Sequence, residues 1–264
     1  MKRIFLVILF ATAIFSGCKK EEDEPAAPEL PASESFLMSF NDFDTVNKKA
    51  LKADTSNWAV SAFQVGFWNL AVYITSAIPV SAFQNSFKYL PVYKGDNTWE
   101  WAYTYNGFLT VYGARLVAKV SESTTYWEMY ISRVNPNPFA EVLWYSGTTN
   151  NDRSGASWEL NKYNESTKVI EKFLRITHSK TSDNNQTLRY TNIIPAHADN
   201  GNYIEYALQI GDFNSRFSIQ TSNSIDADIE WNSTTKEGRV RSLQYFGHSN
   251  WRCWDSGLNN SVCN

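Results

Sequence analysis

Trp99-Glu100-Trp101-Ala102-Tyr103-Thr104-Tyr105-Asn106-Gly107 decides the fold. Four aromatic side chains alternate with Glu, Ala and Thr, the period-two pattern of a strand with one buried face. Asn-Gly then supplies the residues that a tight hairpin turn demands. Outward from this segment the pattern repeats. Phe108 to Val120 follows, then Tyr126 to Val134, where Trp127, Met129 and Ile131 alternate with Tyr126, Glu128 and Tyr130. Further strand-like runs cover Val142–Tyr145, Val169–Thr177, Leu188–Ile194, Tyr203–Ile210, Arg216–Thr221, Asp228–Trp231 and Val240–Phe246. Turn-forming clusters of Asn, Asp, Gly, Pro and Ser separate them. About eleven short strands are expected. The fold class is mainly β: an antiparallel meander forming a half-barrel, barrel or sandwich.

Upstream, residues 55–87 carry no charge. Within them Val60-Ser61-Ala62-Phe63-Gln64 recurs as Val80-Ser81-Ala82-Phe83-Gln84. Val60, Phe63 and Phe67, like Val80, Phe83 and Phe87, are spaced i, i+3, i+7, which puts each trio on one helix face. Pro79 fits the first turn of a second helix, and Asp54, Thr55, Ser56 and Asn57 are N-cap candidates for the first. A short helical hairpin packed on the sheet is expected. Such an apolar hairpin could also cover a lipid-sized cavity, with Phe63, Phe67, Trp68, Phe83, Trp99 and Trp101 lining it.

The chain begins MKRIFLVILFATAIFSGCKK. Lys2 and Arg3 precede a twelve-residue run, Ile4 to Phe15, apolar but for Thr12, shorter than the roughly 20 that cross a bilayer and of signal-peptide proportions. Ser16 and Gly17 before Cys18 resemble the lipobox of bacterial lipoproteins, with Phe15 in place of the usual Leu. The resemblance implies cleavage after residue 17 and acylation of Cys18, hence a lipid-anchored outer-membrane protein. The Lys-then-acidic run Lys20 to Glu24 resembles the surface-export signal of Bacteroidota lipoproteins, which implies an outward-facing domain; a periplasm-facing one is the alternative. Residues 18–35, with Pro25, Pro28 and Pro31, read as a flexible tether. Residues 36–264 read as a single globular domain, helical over 36–92 and a meander over 93–264.

Removal of residues 1–17 leaves 22 basic and 27 acidic residues. There is no basic block, which speaks against nucleic acid as a partner. With Cys18 acylated, Cys253 and Cys263 remain, and in an oxidising compartment they are expected to form a disulfide that pins the C-terminus. His178, His197 and His248 belong to no metal-binding spacing, and neither a nucleophile elbow nor a phosphate-binding loop occurs. Glu100, Glu128, Glu141, Glu205 and Glu230 sit at outward positions of predicted strands. No catalytic residue, metal or cofactor is assigned.

Two broader resemblances complete the reading. Two apolar helices followed by a meander look like the half-barrel of lipoprotein carriers. Ile229-Glu230-Trp231-Asn232, Lys236 to Val240, Phe246-Gly247, Trp251 and Cys253-Trp254-Asp255 look like the C-terminus of a group of Bacteroidota lipoproteins. The first expectation for function is a non-catalytic envelope lipoprotein that binds an apolar or amphipathic ligand, or serves a structural or assembly role. The alternative is a glycan-binding surface module of a polysaccharide uptake system, with Trp144 and Tyr145 as stacking rings. A hydrolase with paired carboxylates ranks last.

Overall fold

The computed structural model of the chain describes residues 24–37, 56–107, 109–222 and 226–263. Cys18 lies outside them. The chain forms one open antiparallel sheet of fourteen strands, each hydrogen-bonded to its sequence neighbour. The strands are β1 (Val92–Gly95), β2 (Thr98–Gly107), β3 (Thr110–Val120), β4 (Thr124–Asn135), β5 (Phe139–Asn150), β6 (Gly155–Asn164) and β7 (Val169–Ser182). They continue as β8 (Asn185–Asn192), β9 (Tyr203–Leu208), β10 (Ser215–Gln220), β11 (Ala227–Trp231), β12 (Gly238–Ser242), β13 (His248–Trp254) and β14 (Asn260–Ser261). The expected meander is therefore observed, as an open sheet and not as a closed barrel.

The alternation read from β2 places Trp99, Trp101, Tyr103 and Tyr105 inside. Directly across the sheet, Leu116 on β3 pairs with Trp101 and with Met129 on β4, and all three are buried. The opposite face carries cross-strand ion pairs. Arg115 joins Glu141 at 2.6 Å and Glu100 at 3.6 Å; Arg189 joins Glu205, and Arg239 joins Glu230, each at 2.6 Å. Tyr126 donates to Glu128. The five glutamates lie on this outer face, as their alternation predicts, and four of them are held by arginine.

One helix, α1 (Asn57–Ser86), replaces the expected hairpin. Ser56 caps it, accepting from the Ala59 backbone N–H at 3.1 Å. Pro79 lies inside it, and the segments Asn57–Tyr73 and Thr75–Ser86 meet at 62°. The bend has a chemical cause: proline has no N–H to offer the carbonyl four residues earlier, that of Thr75, and its ring crowds that carbonyl. The hydroxyls of Thr75 and Ser76 turn back to carbonyls of the preceding turn, at 2.9 Å to Ala71 and 2.6 Å to Val72, which loosens the same place.

A continuous helix explains the fate of the repeated pentapeptide. Twenty residues at 100° each amount to a net rotation of about 200°, which with the bend between the copies parts their phenylalanines, although Val60 and Val80 are both buried. Phe83 is 1% exposed and Phe63 is 73% exposed.

Helix α1 spans the sheet. Its first residue, Asn57, bonds to Cys253 on β13, and the Tyr103 hydroxyl on β2 donates to the Ala82 carbonyl at 2.6 Å. Eleven strand spacings on a flat sheet cover about 52 Å, whereas the helix between those two residues is at most about 38 Å long. The sheet therefore curves around the helix, and the core fills the concavity.

Residues 24–37 also enter the concavity, so the tether expected to run to residue 35 is shorter. Ala27, Leu30 and Leu37 pack on the core, and Ser33–Ser35 form a single 3-10 turn. Phe36 is wedged 4.1 Å from the Trp158 ring and 4.7 Å from that of Phe83, and its carbonyl accepts the Tyr190 hydroxyl at 2.7 Å. At the far end Cys253 and Cys263 form the expected disulfide. Closing a loop of this size contributes about 2–3 kcal/mol in the loop-entropy picture. The last described turn of helix, α2 (Leu243–Phe246), separates β12 from β13.

Candidate functional site

Among the described residues, the helix bend creates a ligand-like groove. Where α1 turns, Trp68, Ala71, Val72 and Thr75 stand off from the sheet, leaving a groove of about 340 Å³. Its floor is Phe173 and Leu174 of β7, Tyr190 of β8 and Ile204 of β9. Its rim is polar: Asn192, Asp199, Asn202 and Thr221 come from the ends of β8 and β10 and from the loop before β9. The volume lies at the lower end of the range for small-molecule sites, and an apolar floor with a few polar groups is their usual composition.

The rim is pre-organised by its own hydrogen bonds. Asn202 donates to Asp199 at 3.0 Å and accepts from the Ser222 backbone N–H at 3.0 Å. Asn200 donates to the Ile194 carbonyl at 2.8 Å, and Asn192 accepts from the Ile194 N–H at 2.9 Å. The Asp199–Asn202 segment thus spends its polar groups on turn formation. Among the described residues no three His, Cys, Asp or Glu side chains are grouped to hold a metal ion.

The six side chains expected to line a cavity separate. Trp68 lines the groove. Phe83, Trp99 and Trp101 are packed in the core, at 1%, 7% and 2% exposure, and reach no opening. Phe63 and Phe67 lie on the outside of the helix, stacked on each other at 6.4 Å. With Leu70 and Tyr73 they form an exposed apolar stripe, at 56–73% exposure. The groove residues of β7, β8 and β9 carry no mark in the sequence, because nothing in a strand's alternation says which inward positions face a gap.

Trp144 and Tyr145 are buried, so neither ring is available to stack on a sugar at the surface. The cause is a bulge. Met129 pairs with Tyr145 and Tyr130 with Leu143, leaving Trp144 as the extra residue of β5. Neighbouring side chains there turn to the same side, which simple alternation does not anticipate. Burial drives the Tyr145 phenol well above its usual pKa, and does the same to Tyr103 and Tyr105. These phenols stay protonated. The Tyr145 hydroxyl and the Trp158 indole N–H have no hydrogen-bond partner among the described residues.

The histidines are scattered. His178 meets Gln186 at 3.3 Å, the His197 ring accepts from the Asp199 N–H, and His248 faces Arg252 at 3.2 Å.

No family model, curated protein or solved structure matches this chain.

Proposed function

We propose that this protein is a lipid-anchored envelope protein that holds an apolar or amphipathic molecule in the groove at the bend of α1, without acting on it chemically. The observation that carries the reading is the groove's composition: aromatic and aliphatic floor, Trp68 as a wall, and a rim of amide and carboxylate groups. An apolar tail would displace water from the floor while a polar head met the Asn192 side chain at the rim. The anchor belongs to the same proposal and rests on the Cys18 context in the sequence.

The test fills the groove. Wild-type protein and Ile204→Trp are titrated with dansyl-undecanoate, and native mass spectrometry is run on both as purified. Saturable dansyl fluorescence with wild type, reduced tenfold or more by the bulky indole, supports the reading. Equal weak fluorescence in both proteins, with no adduct mass on the wild type, overturns it.

A further inference from the structure

The groove at the bend of α1 has an electrical sign. Among the described residues that line it, Asp199 alone is charged. The turn uses one oxygen of that carboxylate: Oδ1 accepts from the Asn202 amide at 3.0 Å and from the Ser222 hydroxyl at 3.2 Å, both uncharged donors. Oδ2 lies 3.6 Å from His197 Nδ1. That nitrogen accepts the Asp199 backbone N–H at 3.2 Å, so it holds a lone pair there and offers the carboxylate no proton. A second carboxylate stands behind the rim. Asp226 accepts the Thr221 N–H at 2.6 Å, and its partners Thr221, Gln220 and Gln244 are all uncharged. The guanidinium of Arg189 reaches the Tyr203 ring, 4.1 Å from its centroid, but Glu205 already holds it at 2.6 Å. The rim is left with net negative charge.

We propose that the groove selects its amphiphile by charge: an apolar tail on the floor, with a positively charged amine head between Asn192 and Asp199. The inference rests on the proposed ligand-holding groove and names the class of molecule it takes. Charge complementarity selects this occupant. Asn192 offers an amide without net charge, so the sign is set by Asp199. A carboxylate or phosphate head at the same rim would meet a like charge that no cation offsets, and such juxtaposition rejects a partner. An amine gains from the carboxylate and also from aromatic faces, which attract cations. Trp68 and Tyr203 both line the groove, and Tyr203 already accepts one cation on its ring. The Asp199 side chain is 42% exposed, so water and salt screen the effect. The expected discrimination is about three- to tenfold, far below that of a buried charge.

The experiment compares three molecules of equal tail length, decylamine, decanol and decanoate, below the concentrations at which they form micelles. Each displaces dansyl-undecanoate from the wild type and from Asp199→Asn at low salt. Asparagine keeps an Oδ1 for Asn202 and Ser222, so the turn is preserved, and the uncharged alcohol reports on the groove itself. Wild type should bind decylamine about three- to tenfold more tightly than decanol, and decanoate more weakly than decanol. Added salt should compress these differences. Asp199→Asn should move the amine and the carboxylate in opposite directions, leave decanol unchanged, and tighten dansyl-undecanoate. The wild-type ranking tests the proposal without any variant. Equal binding of all three by wild type, or the same ranking in Asp199→Asn, overturns charge selection and leaves the groove standing. Failure of the dansyl probe and of all three molecules to bind overturns the groove, and charge selection with it.

Discussion

The side-chain amide of Asn57 donates to the Cys253 carbonyl at 2.8 Å, although 196 residues separate them. The backbone N–H of Asn57 also finds a partner in the last hairpin, donating to Asn260 Oδ1 at 2.8 Å. The start of α1 is thereby fastened to the disulfide-closed C-terminus. The bond to Cys253 is buried, where an unsatisfied partner is costly; the bond to Asn260 is partly buried.

Asn57→Ala removes one of the two and leaves the Cys253 carbonyl without its donor. The expected loss is about 1–2 kcal/mol, read as a lower urea midpoint with an unchanged slope. An unchanged midpoint would show that water replaces the amide at no cost.

Two glycines should respond in opposite directions. A Cβ on Gly238 would stand 2.1 Å from Trp254 Cζ2 and 2.6 Å from the Glu230 carbonyl oxygen. Trp254 is buried and its indole donates to the Lys236 carbonyl at 2.8 Å, so the ring is not free to retreat. Gly238→Ala should cost about 2–3 kcal/mol, as overpacking does. Gly66 is exposed in the middle of α1 with nothing within 4 Å of an added Cβ. Gly66→Ala should stabilise by about 0.5–1 kcal/mol, the helix preference of alanine over glycine. Thermal unfolding of the pair checks both signs.

Asp228 on β11 supplies the acid sensitivity of the outer face. Burial works to raise its pKa, but hydrogen bonds from Arg216, Ser218 and Arg241, at 2.9, 2.8 and 2.9 Å, outweigh it, and the net shift is downward. A carboxylate with a folded pKa below its unfolded value of about 3.9 stabilises fully above that value. It loses the contribution as pH falls through the folded pKa. Glu159, held down by Lys172 and Arg175, behaves likewise. Asp228→Asn should cost about 1–2 kcal/mol at neutral pH, allowing for partial solvent screening, and should flatten the stability profile below pH 4. A profile as steep as that of the wild type would remove Asp228 from this role.

The sheet was legible because alternation is a backbone property. Trp99, Trp101, Tyr103 and Tyr105 face inward for the reason the sequence suggests, and four of the five outward glutamates find arginines on nearby strands. Three features were hidden by tertiary context. Pro79 reads as a helix start, yet packing against β2 keeps the helix continuous through it, so Phe63 turned outward while its repeat Phe83 turned inward. Tyr145 followed a bulge, which no local signal marks. The residues just before Phe36 read as tether, because Leu30 alone among prolines and acids does not show that the concavity has room for them. Of the groove, only Trp68 is marked by the sequence, since a gap between helix and sheet is made by a bend and not by a composition.

The unbroken order β1 to β14 has a consequence for a chain that emerges from one end. Each hairpin can close as soon as its second strand appears, with short loops and little entropy at stake. The beginning of α1 cannot do the same: Asn57 must wait until Cys253 and Asn260 have been delivered. The helix is early in the sequence and late in assembly, and its arrival at β13 marks the moment when the last strand is in place.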